Sequence, residues 1–189
     1  MSDRFQDLVA KAPHVAAENG VGWRAEFGEP AEDAQIAEVE AALSVTLSSS
    51  HRAFLKRYDG AYLAIDLFHE SGLSHDVRVL SCAEMIEDTT SERVFLDEYF
   101  TGIVEKPPLS SAIVVARYGH SGDICLGDPA NTVDGEYVIL DGFNESPDTW
   151  AVSVIARTFG EWLERMLASF VEEQKILPYW MPAGIDELR

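Results

Sequence analysis

Basic residues are scarce in this chain. Fourteen Lys and Arg face thirty-three Asp and Glu across 189 residues, a formal charge of −19. Nucleic-acid binding draws on Lys and Arg that displace counterions from phosphate, so this balance argues against a nucleic-acid partner. An anionic membrane surface is disfavoured for the same reason. Cysteine is nearly absent. Cys82 and Cys125 stand in separate apolar stretches and form no Cys-x-x-Cys. This usage fits a reduced cytoplasmic protein with two buried thiols. There is no run of about 18 apolar residues, and the N-terminus has neither a basic n-region nor an apolar h-region. Neither a membrane span nor signal-peptide export is therefore expected.

The chain does have enough apolar material for a core. Hydrophobic residues make up 47% and aromatics 10% of it, which excludes a disordered chain. A globule of this length buries roughly 70% of its unfolded surface and needs no disulfide or metal staple. With no repeat, low-complexity run or dividing linker, residues 1–189 read as one domain.

Residues 3–18 read as an amphipathic helix with Phe5, Leu8, Val9 and Ala12 on one face, which Pro13 would kink or end. The 20–30 stretch reads as a loop with a short extended piece near Trp23. After Pro30, a second helix carries Ile36, Val39 and Leu43 at three- and four-residue spacing. Ser48 or Ser49 caps a third helix, with Phe54, Leu55 and Tyr58 inward and Asp59-Gly60 at its end. Strands are expected at 62–68, 77–80, 113–116, 123–126 and 137–140. The 129–135 interval reads as a turn region. Between the second and third strands, Ser81 and Glu84 form a capping box for a helix over 82–88, followed by a separate helical stretch near 91–101. Thr158 and Glu161 form a second box. Behind it Phe159, Trp162, Leu163, Met166, Leu167, Phe170 and Val171 recur at helical spacing, and Pro178 stops the helix. The order predicts an α+β fold, with helices packed on one largely antiparallel or mixed sheet and a long C-terminal helix.

Catalytic patterns are missing. His69 and His75 stand six apart across a Gly-containing loop, a spacing that matches no common metal site, and no His-Glu-x-x-His or Cys/His cluster occurs. Residues 119–123 (Gly, His, Ser, Gly, Asp) set a Ser beside a His. A nucleophile elbow is Gly-x-Ser-x-Gly, however, and Asp123 occupies the place of its second Gly, so a hairpin loop is the simpler reading. Asp123, Asp128, Asp134, Glu136 and Asp141 lack the spacing and central Gly of an EF-hand. Carboxylates this dense will pair by chance without implying glycoside hydrolysis. No phosphate-cradling loop of Walker or Gly-x-Gly-x-x-Gly type is present. No catalytic residue, metal or cofactor is assigned.

The acids are unevenly spread. Six acids and no base lie between Arg24 and Arg52, and seven acids and no base lie between Arg117 and Arg157. From Val79 to Glu105, seven acids face Arg93 alone. Acids on helices often form a solvated face. The 118–156 stretch is read as strands and loops, and its acids at one sheet end would form a concentrated negative patch.

Three blocks together resemble the SMI1/KNR4 family, also called the SUKH superfamily. The first runs from Ile36 and Glu40 through Leu43 and Leu47 to Phe54, Leu55, Tyr58, Asp59 and Gly60. Ser48 stands here where the family usually has Pro, and Asp59 replaces Asn. The second block is Gly122 to Asp128 with Tyr137, Val138, Leu140 and Asp141, similar to the family's central strands. The third is Ile155, Thr158, Phe159, Trp162 and Leu163, similar to its closing helix. The resemblance spans a core of about 30–175, with an N-terminal helix and a C-terminal tail as appendages and 82–105 as an insertion or variation.

The resemblance implies helices on a mixed sheet and a non-catalytic role. Many bacterial members are implied to be immunity proteins that neutralise polymorphic or contact-dependent toxins, often nucleases or deaminases. Others are regulatory or scaffold proteins, which is the alternative here. A basic toxin domain would be drawn to an acidic surface. Asp123, Asp128, Asp134, Glu136, Asp141 and Glu145 are the expected contact residues.

Overall fold

A computed structural model describes residues 2–66, 74–99, 111–119, 123–142 and 154–173. Their elements, in chain order, are α1 (Asp3–Glu18), β1 (Gly22–Phe27), α2 (Asp33–Leu43), α3 (Ser49–Leu55), β2 (Ala61–Asp66), β3 (Ser74–Val79), α4 (Cys82–Tyr99), β4 (Ile113–Tyr118), β5 (Ile124–Val133), β6 (Glu136–Gly142), β7 (Val154–Ala156) and α5 (Phe159–Val171). The strands form one sheet whose spatial order is their chain order, and every neighbouring pair is antiparallel. The sheet is thus antiparallel throughout and has no mixed part among the described residues.

Period-two alternation sends side chains to two faces of the sheet. Trp23, Ile65, Cys125 and Tyr137 face α1, α3 and α5. Trp23 stacks on Phe170 with ring centroids 5.7 Å apart, and Phe5 meets Phe54 edge-on at 6.4 Å. Trp162, Phe159 and Phe170 of α5 are fully buried there. The other face is tied to α4. Arg117 of β4 pairs with Asp88 and Glu92, and Arg78 of β3 pairs with Glu84. α2 packs against α4 from the side.

Local chemistry explains the boundaries. The Ser2 hydroxyl accepts from Phe5 N and starts α1. Pro13 does not end that helix, because Phe5, Leu8, Ala12, Val15 and Ala16 anchor it on both sides of the proline. The expected box at α4 forms in full: Ser81 N donates to Glu84 Oε2 at 2.9 Å and Glu84 N to Ser81 Oγ at 3.4 Å. At α5 only half of the expected box forms: Glu161 N donates to Thr158 Oγ1 at 2.9 Å, but the Glu161 carboxylate accepts from Arg157 N at 2.8 Å, one residue before the cap.

The expected break in α4 is absent. Thr89, Thr90 and Ser91 form a polar, poorly helical run in the sequence, yet tertiary contacts carry the helix through it. The Thr90 hydroxyl donates back to Ile86 O at 2.7 Å. The buried Thr89 hydroxyl accepts from Val114 N at 3.0 Å, where β4 shifts register against β5. Residues 100 and 101 of the expected second stretch lie outside the described residues.

Three more boundaries differ from expectation. α3 ends at Leu55, before Asp59-Gly60. Gly60, at φ +88, turns the chain into β2, and a Cβ there would meet Ser81 N at 2.9 Å. β5 runs on to Val133, through the interval read as a turn, and absorbs Pro129 where its register against β6 is irregular. The true turn is two residues: Asp134 at φ +53 and Gly135 at φ +77, both left-handed, as in the tight hairpin turn that matches strand twist. Finally, α5 ends at Val171 with Glu172 as its cap; Pro178 and the tail lie outside the described residues. β7 is a three-residue strand that short-range pattern does not reveal.

Candidate functional site

The acids expected as contacts lie mainly on the β5–β6 hairpin, whose register decides which of them can act together. Cys125 pairs with Asp141, and Val133 pairs with Glu136. Five residues of β6 separate these rungs, about 17 Å at strand rise. Asp134 and Glu136 therefore sit at the hairpin tip, while Asp123 and Asp141 sit near its opposite end. The patch expected at one sheet end is divided.

The individual environments differ as well. Asp123 is 5% exposed, and its carbonyl accepts from Tyr118 N at 2.9 Å. Asp128 Oδ1 accepts from Ala130 N at 3.1 Å, and partial burial pushes its carboxyl up. Asp141 shares the inner face with Cys125 and Tyr118, and its charge helps raise both of those groups. Glu136 accepts from Ser50 N at 2.8 Å and from the Ser50 hydroxyl at 2.5 Å. It thereby satisfies a backbone donor in the first turn of α3, where Ser48 supplies the cap position but no side-chain cap bond. Asp134 is exposed at the tip. Glu145, His69, His120 and Ser121 lie outside the described residues, and the backbone of His75 pairs with Ile65.

Next to the Glu136–Ser50 joint lies a buried polar pair that sequence reading missed. His51 of α3 stacks on Phe159 with ring centroids 4.0 Å apart, and its Nδ1 bonds to the Tyr137 hydroxyl. Burial pushes the His51 imidazole down to about 3 and the Tyr137 hydroxyl up. Both are neutral at ordinary pH. The pair works as a packed joint between α3, β6 and α5. Its partners lie 86 residues apart, and no local signal links them.

The thiols are equally quiet. Burial pushes Cys82 up to about 12 and Cys125 higher still, so neither supplies the thiolate that nucleophilic or redox chemistry requires. Among the described residues no three His, Cys, Asp or Glu side chains converge as a metal site would.

A cleft of about 490 Å³ opens beside β1–β3, lined by Glu26, Asp59, Tyr62, Arg78 and Glu84 among others. Two of its three carboxylates have structural duties. Asp59 Oδ1 accepts from Cys82 N at 2.7 Å, while Glu84 caps α4 and pairs with Arg78. A second groove, of about 480 Å³, runs between residues 44–47 and the β5–β6 hairpin.

The few bases are largely engaged. Arg24 pairs with Asp66, Arg52 with Glu40, Lys56 with Asp33, and Arg165 with Glu161. Arg117 and Arg78 are held by α4 acids. Pairing neutralises the bases locally and leaves the surplus of carboxylate to set the outer field.

A family model described as SMI1 / KNR4 family (SUKH-1) matches residues 30–165. The chain belongs to the SMI1/KNR4 family. The match begins just before α2 and ends within α5, so it takes in the three sequence blocks and the hairpin acids together. α1 and β1 precede it. Among curated proteins, no sequence matches. Among the described residues of this SMI1/KNR4 chain, no helix is long and apolar enough to cross a membrane.

Proposed function

We propose that this SMI1/KNR4 chain is a non-catalytic protein-binding module: a cytoplasmic immunity protein that neutralises a basic bacterial toxin domain, a nuclease or similar enzyme, of the polymorphic or contact-dependent kind. Family membership over 30–165 carries the reading. The formal charge of −19 supports it by specifying a cationic partner. Nuclease surfaces are basic because they must meet phosphate. An acidic protein can occupy that surface and speed encounter by roughly 10- to 1000-fold at low salt.

The hairpin contributes through Asp134 and Asp128, which retain solvent exposure, and through the exposed Val133 beside them. Glu136 acts indirectly, by holding the hairpin to α3, and Asp123 and Asp141 lie toward the end of the hairpin away from its tip. The test is coexpression with any toxin-like protein encoded beside this chain. Rescue of growth, copurification, and binding that weakens steeply with salt are expected. Absence of both rescue and copurification would refute the toxin reading and favour a regulatory or scaffold protein. Replacing Asp128 and Asp134 by Asn should slow association. Unchanged, salt-insensitive binding would remove the hairpin from the interface.

A further inference from the structure

The outer face of α4 has a composition that neither the fold nor the hairpin accounts for. Three large apolar side chains of this one helix are exposed: Val94 at 55%, Phe95 at 41% and Tyr99 at 48%. The rings of Phe95 and Tyr99 lie against each other with centroids 5.8 Å apart, as side chains four apart on a helix can. Glu87, Ser91, Val94, Phe95 and Glu98 share one exposed side at helical spacing, and Asp97 is exposed on its flank.

The only base in this helix is Arg93. It turns inward, where its guanidinium donates to Leu43 O at 3.1 Å and to Ala112 O at 3.3 Å. The neighbouring base, Arg117 of β4, is held on the inner flank by Asp88 and Glu92. The result is an apolar centre with an acidic rim and no helix base facing outward. Anchors at the centre of a patch supply affinity, and charges at the rim supply steering and selectivity.

We infer that the outer face of α4 is a docking surface for a cationic protein partner, which places an apolar or aromatic anchor against Val94, Phe95 and Tyr99 and its Lys or Arg residues against Glu87 and Glu98. Charge selects this occupant over two others. A second copy of the chain would bring the same acids opposite themselves across a two-fold axis, between bodies that each carry −19. An anionic lipid surface would be repelled. The inference rests on the protein-binding reading and adds to the hairpin a second face for it.

The test uses two synthetic helical peptides of about 16 residues and equal positive charge. One carries Leu and Trp on its second face, and the other carries Gln there. Binding to the full chain is measured by calorimetry and mapped by NMR. The amphipathic peptide should bind and shift the resonances of residues 87–99. Its affinity should fall at least about tenfold in Val94→Ser/Phe95→Ser, as loss of a central anchor predicts, and in Glu87→Gln/Glu98→Gln its association should slow and its affinity lose salt dependence, as loss of rim charge predicts. The Gln peptide should bind at least about tenfold more weakly. Asp7→Asn/Glu18→Gln should leave affinity within about twofold, since those exposed acids lie on α1, against the opposite face of the sheet. Circular dichroism confirms that each variant folds.

No binding by the wild type, equal binding of the two peptides, unchanged affinity in Val94→Ser/Phe95→Ser, or unchanged salt dependence in Glu87→Gln/Glu98→Gln would overturn the inference. So would self-association of the wild type that Phe95→Ser abolishes. Failed toxin rescue with a positive peptide result would refute only the toxin assignment. Successful rescue with a negative peptide result would refute only this face.

Discussion

Acid should destabilise this protein through His51 by an amount that can be isolated. The imidazole is fully buried and its pKa is lowered to about 3, against about 6.5 for a free side chain. The sign follows from which state takes the proton first. Below about pH 6.5 the unfolded chain binds a proton at His51 while the folded chain does not, so each unit of falling pH favours unfolding by about 1.4 kcal/mol. This loss grows from about pH 6.5 down to about 3, where the folded form protonates too. Between pH 7 and pH 5 it amounts to about 2 kcal/mol.

Carboxylates also titrate on the way down, and relief of a −19 self-repulsion acts in the opposite direction. Both effects are shared by a His51→Gln variant. Equilibrium urea unfolding of wild type and variant at pH 7 and pH 5 therefore isolates the histidine. The wild type should lose about 2 kcal/mol more than the variant over that interval. A difference below about 0.5 kcal/mol would mean that the ring is solvated or charged in the folded protein, and the argument would fail.

Other perturbations test the joints described above. Glu136→Gln removes the charged acceptor of Ser50 N and Oγ and should lower stability by about 1–2 kcal/mol in thermal melts; no change would mean that water caps α3 equally well. At the hairpin tip, Asp134 sits at φ +53. Asp134→Asn should be neutral there, and Asp134→Val should cost at least about 1 kcal/mol. Thr89→Val strands the amide of Val114 and should cost about 1–3 kcal/mol, with faster hydrogen exchange confined to β4 and the middle of α4.

Much of the fold was legible because short-range signals sufficed. The two Ser/Thr-x-x-Glu patterns and the apolar spacing from Phe159 to Val171 located α4's start and α5 without any tertiary knowledge. The reading failed where distant partners override local preference. Thr89 and Thr90 look like a helix break until β4 supplies a donor for one and the helix's own carbonyl accepts from the other. Pro129 looks like a turn until an irregular register lets a strand absorb it. The candidate site was legible as charge and not as geometry. Counting acids between Arg117 and Arg157 found the hairpin, but only strand register reveals that Glu136 serves α3 and that Asp123 is enclosed. The acid-rich, base-poor composition of 82–105 was visible too, whereas the inward turn of Arg93 was not.

The agreement of strand order with chain order has a consequence for synthesis. A chain emerging from the ribosome can pair each new strand with the one just made, so the sheet grows with no strand waiting for a later neighbour. Its inner face is less fortunate. α1 and Trp23 are made well before Phe170 and the rest of α5, which cover them. Until then the growing sheet carries an uncovered apolar side. The vulnerable species during biogenesis is thus a nearly complete sheet lacking its last helix, and truncation before Phe159 should yield a chaperone-bound, aggregation-prone product rather than a smaller folded one.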